Sequence, residues 1–207
     1  MRFEIKTIFC GLLIFISFFA CGQKINEKEL YNGDIIFQSS QSGQSKAVQL
    51  ATHSKYSHVG LIYLEKGTPY VLEAVQPVKK TPLSEWIKYG DEEKYLVKRL
   101  KSGSDKINNG GAKIIAEFKN YDGKNYDIYF GWSDNEIYCS ELVWKIYERV
   151  FGIKLCNLRK LKSFDLSSKE VKQIMERRYG DKIPYDEDVV APSDLDESEL
   201  LATIFKN

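Results

Sequence analysis

The scarce nucleophilic and basic side chains of this sequence point to thiol chemistry, because it holds four cysteines and only two histidines. Cys139 opens the clearest amphipathic stretch. Leu142, Val143, Ile146, Tyr147 and Val150 recur at helical spacing, while Glu141, Lys145, Glu148 and Arg149 fall away from them. Gly152 follows as a helix stop. A cysteine in the first turn of a helix meets unpaired N–H groups and the positive end of the helix dipole, which favour the thiolate. The same N–H groups can hold the oxyanion that forms when a thiolate attacks a carbonyl. Packing as a small buried residue is the plainer use of a cysteine, so the chemical reading needs a base within reach.

His58 is the better placed of the two histidines. It begins the apolar run 58–63, so a strand would fix its orientation, whereas His53 lies in a polar stretch and reads as a solvated residue. Residues 59–64 and 70–76 are β-rich and are separated by Glu65-Lys66-Gly67-Thr68, a hairpin signal. If the turn closes over Lys66-Gly67, Glu65 pairs with Thr68, Gly60 faces Glu73, and His58 faces Val75. Glu73 then shares a face with His58 on a diagonal of ~7 Å, within side-chain reach. Gly60 would leave open space for the imidazole to lean into. Glu73 is bracketed by Val71, Leu72, Ala74 and Val75, so a carboxylate there is costly to bury without a partner. An imidazole N–H would satisfy it and fix the histidine tautomer. A solvated edge strand is the alternative, and a single bulge would reverse the parity.

The elements that must carry these residues read as one α+β domain over residues 33–207. A short buried strand is expected at 35–38, a polar loop at 39–46, a short helix around Trp86-Ile87 and a strand at 95–100. A helix follows at 111–119, a turn-rich aromatic segment at 121–127, the helix at 139–150, and another helix at 168–179. The chain ends in an acidic tail containing Ala191-Pro192-Ser193-Asp194-Leu195. Ahead of the domain, residues 1–20 have the layout of a secretory signal peptide: basic Arg2 and Lys6, then an apolar run from Ile8 to Ala20 too short to span a bilayer. Phe18-Phe19-Ala20-Cys21-Gly22 resembles the lipobox of bacterial lipoproteins, which implies lipidation at Cys21, a tether over residues 21–32 and a membrane-anchored place in the cell envelope. A soluble secreted protein is the alternative. The formal charge is +1, from 30 basic and 29 acidic side chains, without the basic excess of a nucleic-acid partner. His53, His58, Cys139 and Cys156 lack the compact pair spacing of a zinc site, and Cys156 reads as a bystander thiol.

Six segments occur in order: Asn-Gly-Asp-Ile-Ile-Phe-Gln (32–38), Tyr-Ser-His-Val-Gly-Leu-Ile-Tyr (56–63), Tyr-Val-Leu-Glu-Ala-Val (70–75), Asn-Tyr-Asp-Ile-Tyr-Phe (125–130), Tyr-Cys-Ser-Glu-Leu-Val (138–143) and Pro-Ser-Asp-Leu (192–195). Together they resemble the YiiX/YebB-like branch of the NlpC-type, papain-like cysteine hydrolases. The resemblance implies a circularly permuted papain-like fold, with an antiparallel sheet packed on the cysteine-bearing helix. It also implies Cys139 as nucleophile, His58 as base and Glu73 as the group orienting the histidine. Tyr138, Tyr56 and Ser140, close to these residues, are candidates for substrate contact or oxyanion support, and Asp127 matches a family aspartate expected to be structural. No metal or organic cofactor follows from the resemblance. The expected reaction is cleavage of an amide, peptide or N-acyl, through an acyl-thioester. Cell-wall peptides are the first expected substrate. The alternatives are a lipid amidase or acyltransferase on the same site, or a non-catalytic envelope binding module.

Overall fold

A computed structural model describes residues 24–207, so the expected signal peptide, Cys21 and the start of the tether lie outside the described residues. Six strands form one antiparallel sheet in the order β4-β3-β2-β1-β5-β8. They are β1 (Ile35–Gln38), β2 (His58–Glu65), β3 (Thr68–Glu73), β4 (Lys79–Pro82), β5 (Leu96–Leu100) and β8 (Leu201–Lys206). Two residues each from β6 (Arg159–Lys160) and β7 (Asp188–Val189) make a separate small ladder. The helices are α1 (Ser45–Thr52), α2 (Leu83–Lys88), α3 (Ser104–Asn108), α4 (Gly111–Phe118), α5 (Cys139–Phe151), α6 (Lys169–Tyr179) and α7 (Pro192–Asp196).

The β2–β3 hairpin closes as its turn residues dictate. Lys66 and Gly67 both have positive φ (51° and 85°), the geometry of a tight turn that follows the strands' right-handed twist. Glu65 therefore pairs with Thr68, and the ladder runs without a bulge to Leu61 and Leu72. That parity carries His58 to the start of β2 and Glu73 to the end of β3. Gly60 is required for a different reason from the one expected. A Cβ there would meet Val71 Cγ1 at 2.3 Å, Leu72 O at 3.1 Å and Glu73 Cβ at 3.6 Å, so the neighbouring strand already fills the space above it.

Alternation along the strands builds two cores. Ile36, Ile62, Val71, Val97 and Phe205 meet Leu83 and Trp86 of α2 on one face. Ile35, Phe37, Val59, Leu61 and Leu72 meet Leu142, Val143 and Ile146 of α5 on the other. Gly152, at φ 71°, ends α5 in a left-handed cap. The Tyr147 hydroxyl donates to Gly33 O at 2.5 Å and ties the helix to the approach to β1.

Two segments differ from expectation. The expected polar loop at 39–46 runs into α1, because Ala47, Leu50 and Ala51 give that Ser/Gln-rich stretch an apolar stripe that packs on the core. The acidic tail is folded: α7 buries Leu195, and β8 pairs with β5 through Leu201 and Phe205. The charges between these apolar residues hide the pattern.

Candidate active site

Cys139 is the first residue of α5 and is 3 % exposed. Val143 and Leu142 pack the helix onto β2, which brings its first turn against the start of that strand. His58 and Glu73 meet there as the hairpin parity requires: His58 Nε2 lies 2.7 Å from Glu73 Oε2. The carboxylate is held from two further directions, with Thr81 Oγ1 donating to Oε1 at 2.5 Å and Trp86 Nε1 donating to Oε2 at 2.9 Å. The Trp86 ring also stacks on the imidazole, with centroids 5.8 Å apart at 26°. With Nε2 committed to Glu73, the other ring nitrogen is the one left for the hydrogen bond to Cys139.

The electrostatics follow from these contacts. Burial alone would push the Glu73 carboxyl up, but the hydrogen bond and charge of His58, with Thr81 and Lys79, hold it below its ordinary range. Burial works against a charged His58 as well. Hydrogen bonds to Cys139 and Glu73, and their negative charges, overcome it and raise the imidazole to about 10. Burial would raise the Cys139 thiol, yet the His58 hydrogen bond and charge, the Val59 backbone N–H and the Tyr126 hydroxyl together lower it. Both directions favour a thiolate–imidazolium pair.

Tyr126 is the residue that sequence reasoning missed. It lies in the turn-rich segment 121–127, where no periodicity marks it as facing the thiol. An isolated bridge to Ile137 sets it beside the Tyr138-Cys139 step, and Gln76 Oε1 accepts from its backbone N–H at 2.8 Å. Its hydroxyl shares the cavity wall with Cys139 and helps lower the thiol, and it accepts from Gln44 Nε2 at 3.2 Å. The neighbouring Asp127 is 4 % exposed and holds the turn by accepting from Tyr129 N at 2.7 Å.

Tyr138, Tyr56 and Ser140 are all buried. The Tyr138 hydroxyl accepts from Val190 N at 3.1 Å, and Ser140 Oγ donates to Val190 O at 2.8 Å. Both line a cavity at Cys139, so they shape its wall. Tyr56 packs against Phe37, with centroids 5.8 Å apart, and lies apart from that cavity. His53 is exposed and pairs with Asp165 at 3.2 Å.

Two spaces converge on Cys139 and His58. On the helix side, a cavity of about 90 Å3 runs between α1, α6 and the start of α5, walled by Ala47, Val48, Leu161, Phe164, Val171 and Met175. On the strand side, a cleft of about 520 Å3 is bordered by Gln38, Ser40, Ser42, His58, Gln76 and Lys79. Gln44, Val48, Ser57 and Tyr126 border both spaces. The site therefore has an apolar side and a polar side, with the thiol and the imidazole at the junction.

Residues 29–205 match the model of a family described as permuted papain-like amidase enzymes, YaeF/YiiX. A protein of Escherichia coli described as uncharacterized protein YiiX is 47% identical over 174 residues, spanning 84% of this chain and 85% of that protein. A crystal structure described as metalloprotein YiiX from Escherichia coli superposes with a TM-score of 0.81 at 46% identity, over 86% of this chain and 97% of that one. Among the described residues, no three of His, Cys, Asp and Glu are arranged to hold a metal ion. His58, Glu73 and Cys139 are engaged with one another and with Thr81 and Trp86, and do not form such a group. The mixed α+β architecture, with a histidine-bearing sheet preceding the cysteine-bearing helix, agrees with that match, and the chain belongs to the permuted papain-like amidase family of YaeF and YiiX.

Proposed function

We propose that the protein is a cysteine amidase acting on amides whose carbonyl-bearing part is an apolar acyl group, with Cys139 as nucleophile, His58 as acid–base partner and Glu73 as the group that orients the imidazole. The observation carrying this reading is the apolar cavity that reaches Cys139. A stem peptide of the cell wall would bring several carboxylates and amines to a wall that includes Ala47, Val48, Val171 and Met175 and in which Arg178 is the one charged side chain, so most of those groups would be desolvated without partners. An aliphatic acyl group would leave water there at a gain of about 0.8 kcal/mol per methylene. The cleft beside His58, with Gln38, Ser40, Gln76 and Lys79 at its border, suits the polar amine that departs. The leader-like residues 8–22 support a membrane-tethered setting, in which such amphiphilic amides are at hand.

In this mechanism the Cys139 thiolate attacks the carbonyl carbon, and the oxyanion is met by the first-turn N–H groups of α5 and the Tyr126 hydroxyl. The His58 imidazolium gives its proton to the leaving nitrogen, the C–N bond breaks, and an acyl-thioester remains. Neutral His58 then takes a proton from water, whose oxygen attacks the thioester. The C–S bond breaks, releasing the carboxylic acid and restoring the thiolate–imidazolium pair. Turnover of p-nitroanilides from acetyl to octanoyl tests the reading. kcat/KM is expected to rise about fourfold per methylene and to level off after a few, because the cavity is small beside the ~150 Å3 that takes a benzene ring. A flat acyl series, or faster cleavage of muropeptide amides, would overturn it.

A further inference from the structure

Arg178, in the last turn of α6, sends its guanidinium inward to the wall of the cavity at Cys139. It lies over the Phe130 ring, 5.2 Å from the centroid. Its Nη2 donates to Gln44 Oε1, and its Nη1 is buried without a hydrogen-bond partner. Gln44, just ahead of α1, in turn donates from Nε2 to the Tyr126 hydroxyl. Three side chains from three separate segments thus form one line that ends at the sulfur of Cys139.

The direction of that line is set by chemistry. A guanidinium only donates, so the amide oxygen of Gln44 must face Arg178 and its NH2 must face Tyr126. An amide NH2 also only donates, so the Tyr126 oxygen accepts on that side and its proton is left for Cys139. Remove the guanidinium, and the Gln44 amide is free to turn over. Its oxygen would then face Tyr126 and draw the hydroxyl proton away from the sulfur. We propose that Arg178 and Gln44 are positioning residues that lock the Tyr126 hydroxyl as a donor toward Cys139 and toward the oxyanion formed there. The proposal rests on the cysteine-amidase reading for its catalytic meaning, and on hydrogen-bond polarity alone for its structural content.

Gln44→Glu separates this role from packing. The change is isosteric and gives Arg178 a salt bridge, so a merely structural role predicts a fold at least as stable and an unchanged thiol. The relay predicts that the new carboxylate accepts the Tyr126 proton, moving the acid limb of Cys139 alkylation by iodoacetamide to higher pH. It also predicts that kcat falls by about 10²-fold, the cost of one oxyanion donor, with KM little changed. Arg178→Met should reproduce both effects and Arg178→Lys should recover most of the loss. In a Tyr126→Phe background, Gln44→Glu and Arg178→Met should add nothing further. An equal shift in both backgrounds would mean that the carboxylate acts through space as a charge, and no shift in the Tyr126 protein would mean that polarity is set elsewhere; either overturns the proposal. Alkylation needs no substrate, so shifts of this pattern in a protein that hydrolyses no acyl amide would count against the function proposed above and leave the relay standing.

Discussion

The two described cysteines have the same side chain in opposite electrostatic settings. Cys156 is partly buried, and burial with the charge of Asp194 pushes its thiol up to about 12. Cys139 is more deeply buried, at 3 % exposure, yet its thiol is lowered. Desolvation acts on both in the same direction, so burial cannot be what separates them. The difference is the set of donors: Cys139 has an imidazolium, a backbone N–H and a phenol acting on it, whereas the charge that acts on Cys156 is the Asp194 carboxylate. A reactive thiol in this fold is therefore made by what faces it, and removing those groups one by one should convert one cysteine into the other.

The largest effect belongs to the sulfur itself. Cys139→Ala should lower kcat by a factor on the order of 10⁶, as nucleophile removal does in a catalytic triad, while Cys156→Ala should stay within about twofold of the parent, because a half-buried thiol carries little packing. Steady-state assays on an acyl anilide check both, and loss of turnover in Cys156→Ala would collapse the contrast. The next effect comes from the base. In His58→Ala the main opposition to desolvation at Cys139 is gone. A free thiol with a pKa of ~8.5 is ionised to about 0.3% at pH 6, so iodoacetamide labelling of Cys139 at that pH should fall at least about tenfold after allowance for the higher nucleophilicity of a more basic thiol. Mass-mapped labelling should then find the gap between Cys139 and the slow Cys156 narrowed by the same factor. Continued fast labelling of Cys139 alone would show that the helix start and Tyr126 suffice.

The parts of this contrast that the sequence discloses are those tied to a period. The helix from Cys139 is written in a 3.6-residue stripe, and the pairing of His58 with Glu73 follows from a tight turn at Lys66-Gly67 and strict alternation on either side. Tyr126 has no such carrier, since it lies in an irregular segment joined to the site by a single bridge at Ile137. The apolar cavity was equally hidden. Its walls come from α1 and α6, short helices far apart in sequence, and α1 carries Ser, Gln and Thr among its few apolar residues. The final strand was obscured by the acidic residues Asp194, Asp196, Glu197 and Glu199 that precede it, and by a register shift opposite Val97/Lys98 that sends Leu201 and Phe205 into the cores on opposite faces of the sheet. Thr81 and Trp86, which complete the Glu73 cluster, could be reached only by knowing that β4 pairs with β3.

That cluster supplies the smallest and most specific prediction, Glu73→Gln. Among the groups around the carboxylate, His58 Nε2 and Trp86 Nε1 share Oε2 while the Thr81 hydroxyl takes Oε1. An amide can keep its oxygen toward His58 and Trp86 and turn its NH2 toward Thr81, because a hydroxyl can accept as well as donate. The imidazole tautomer and the fold should therefore survive, and what is lost is one negative charge. Hydrogen bonding and charge from Glu73 are among the causes that lift His58 to about 10. Without that charge the protonated imidazole is less favoured, so its deprotonation moves to lower pH. Because the leaving nitrogen needs the His58 proton, the alkaline limb of kcat/KM should move down from near 10 by the same interval. NMR titration of the ring protons follows this directly, with exposed His53 as the only other histidine to resolve. An alkaline limb that stays where it was would mean that Cys139 alone sustains the imidazolium, and would reduce Glu73 to holding the ring in place.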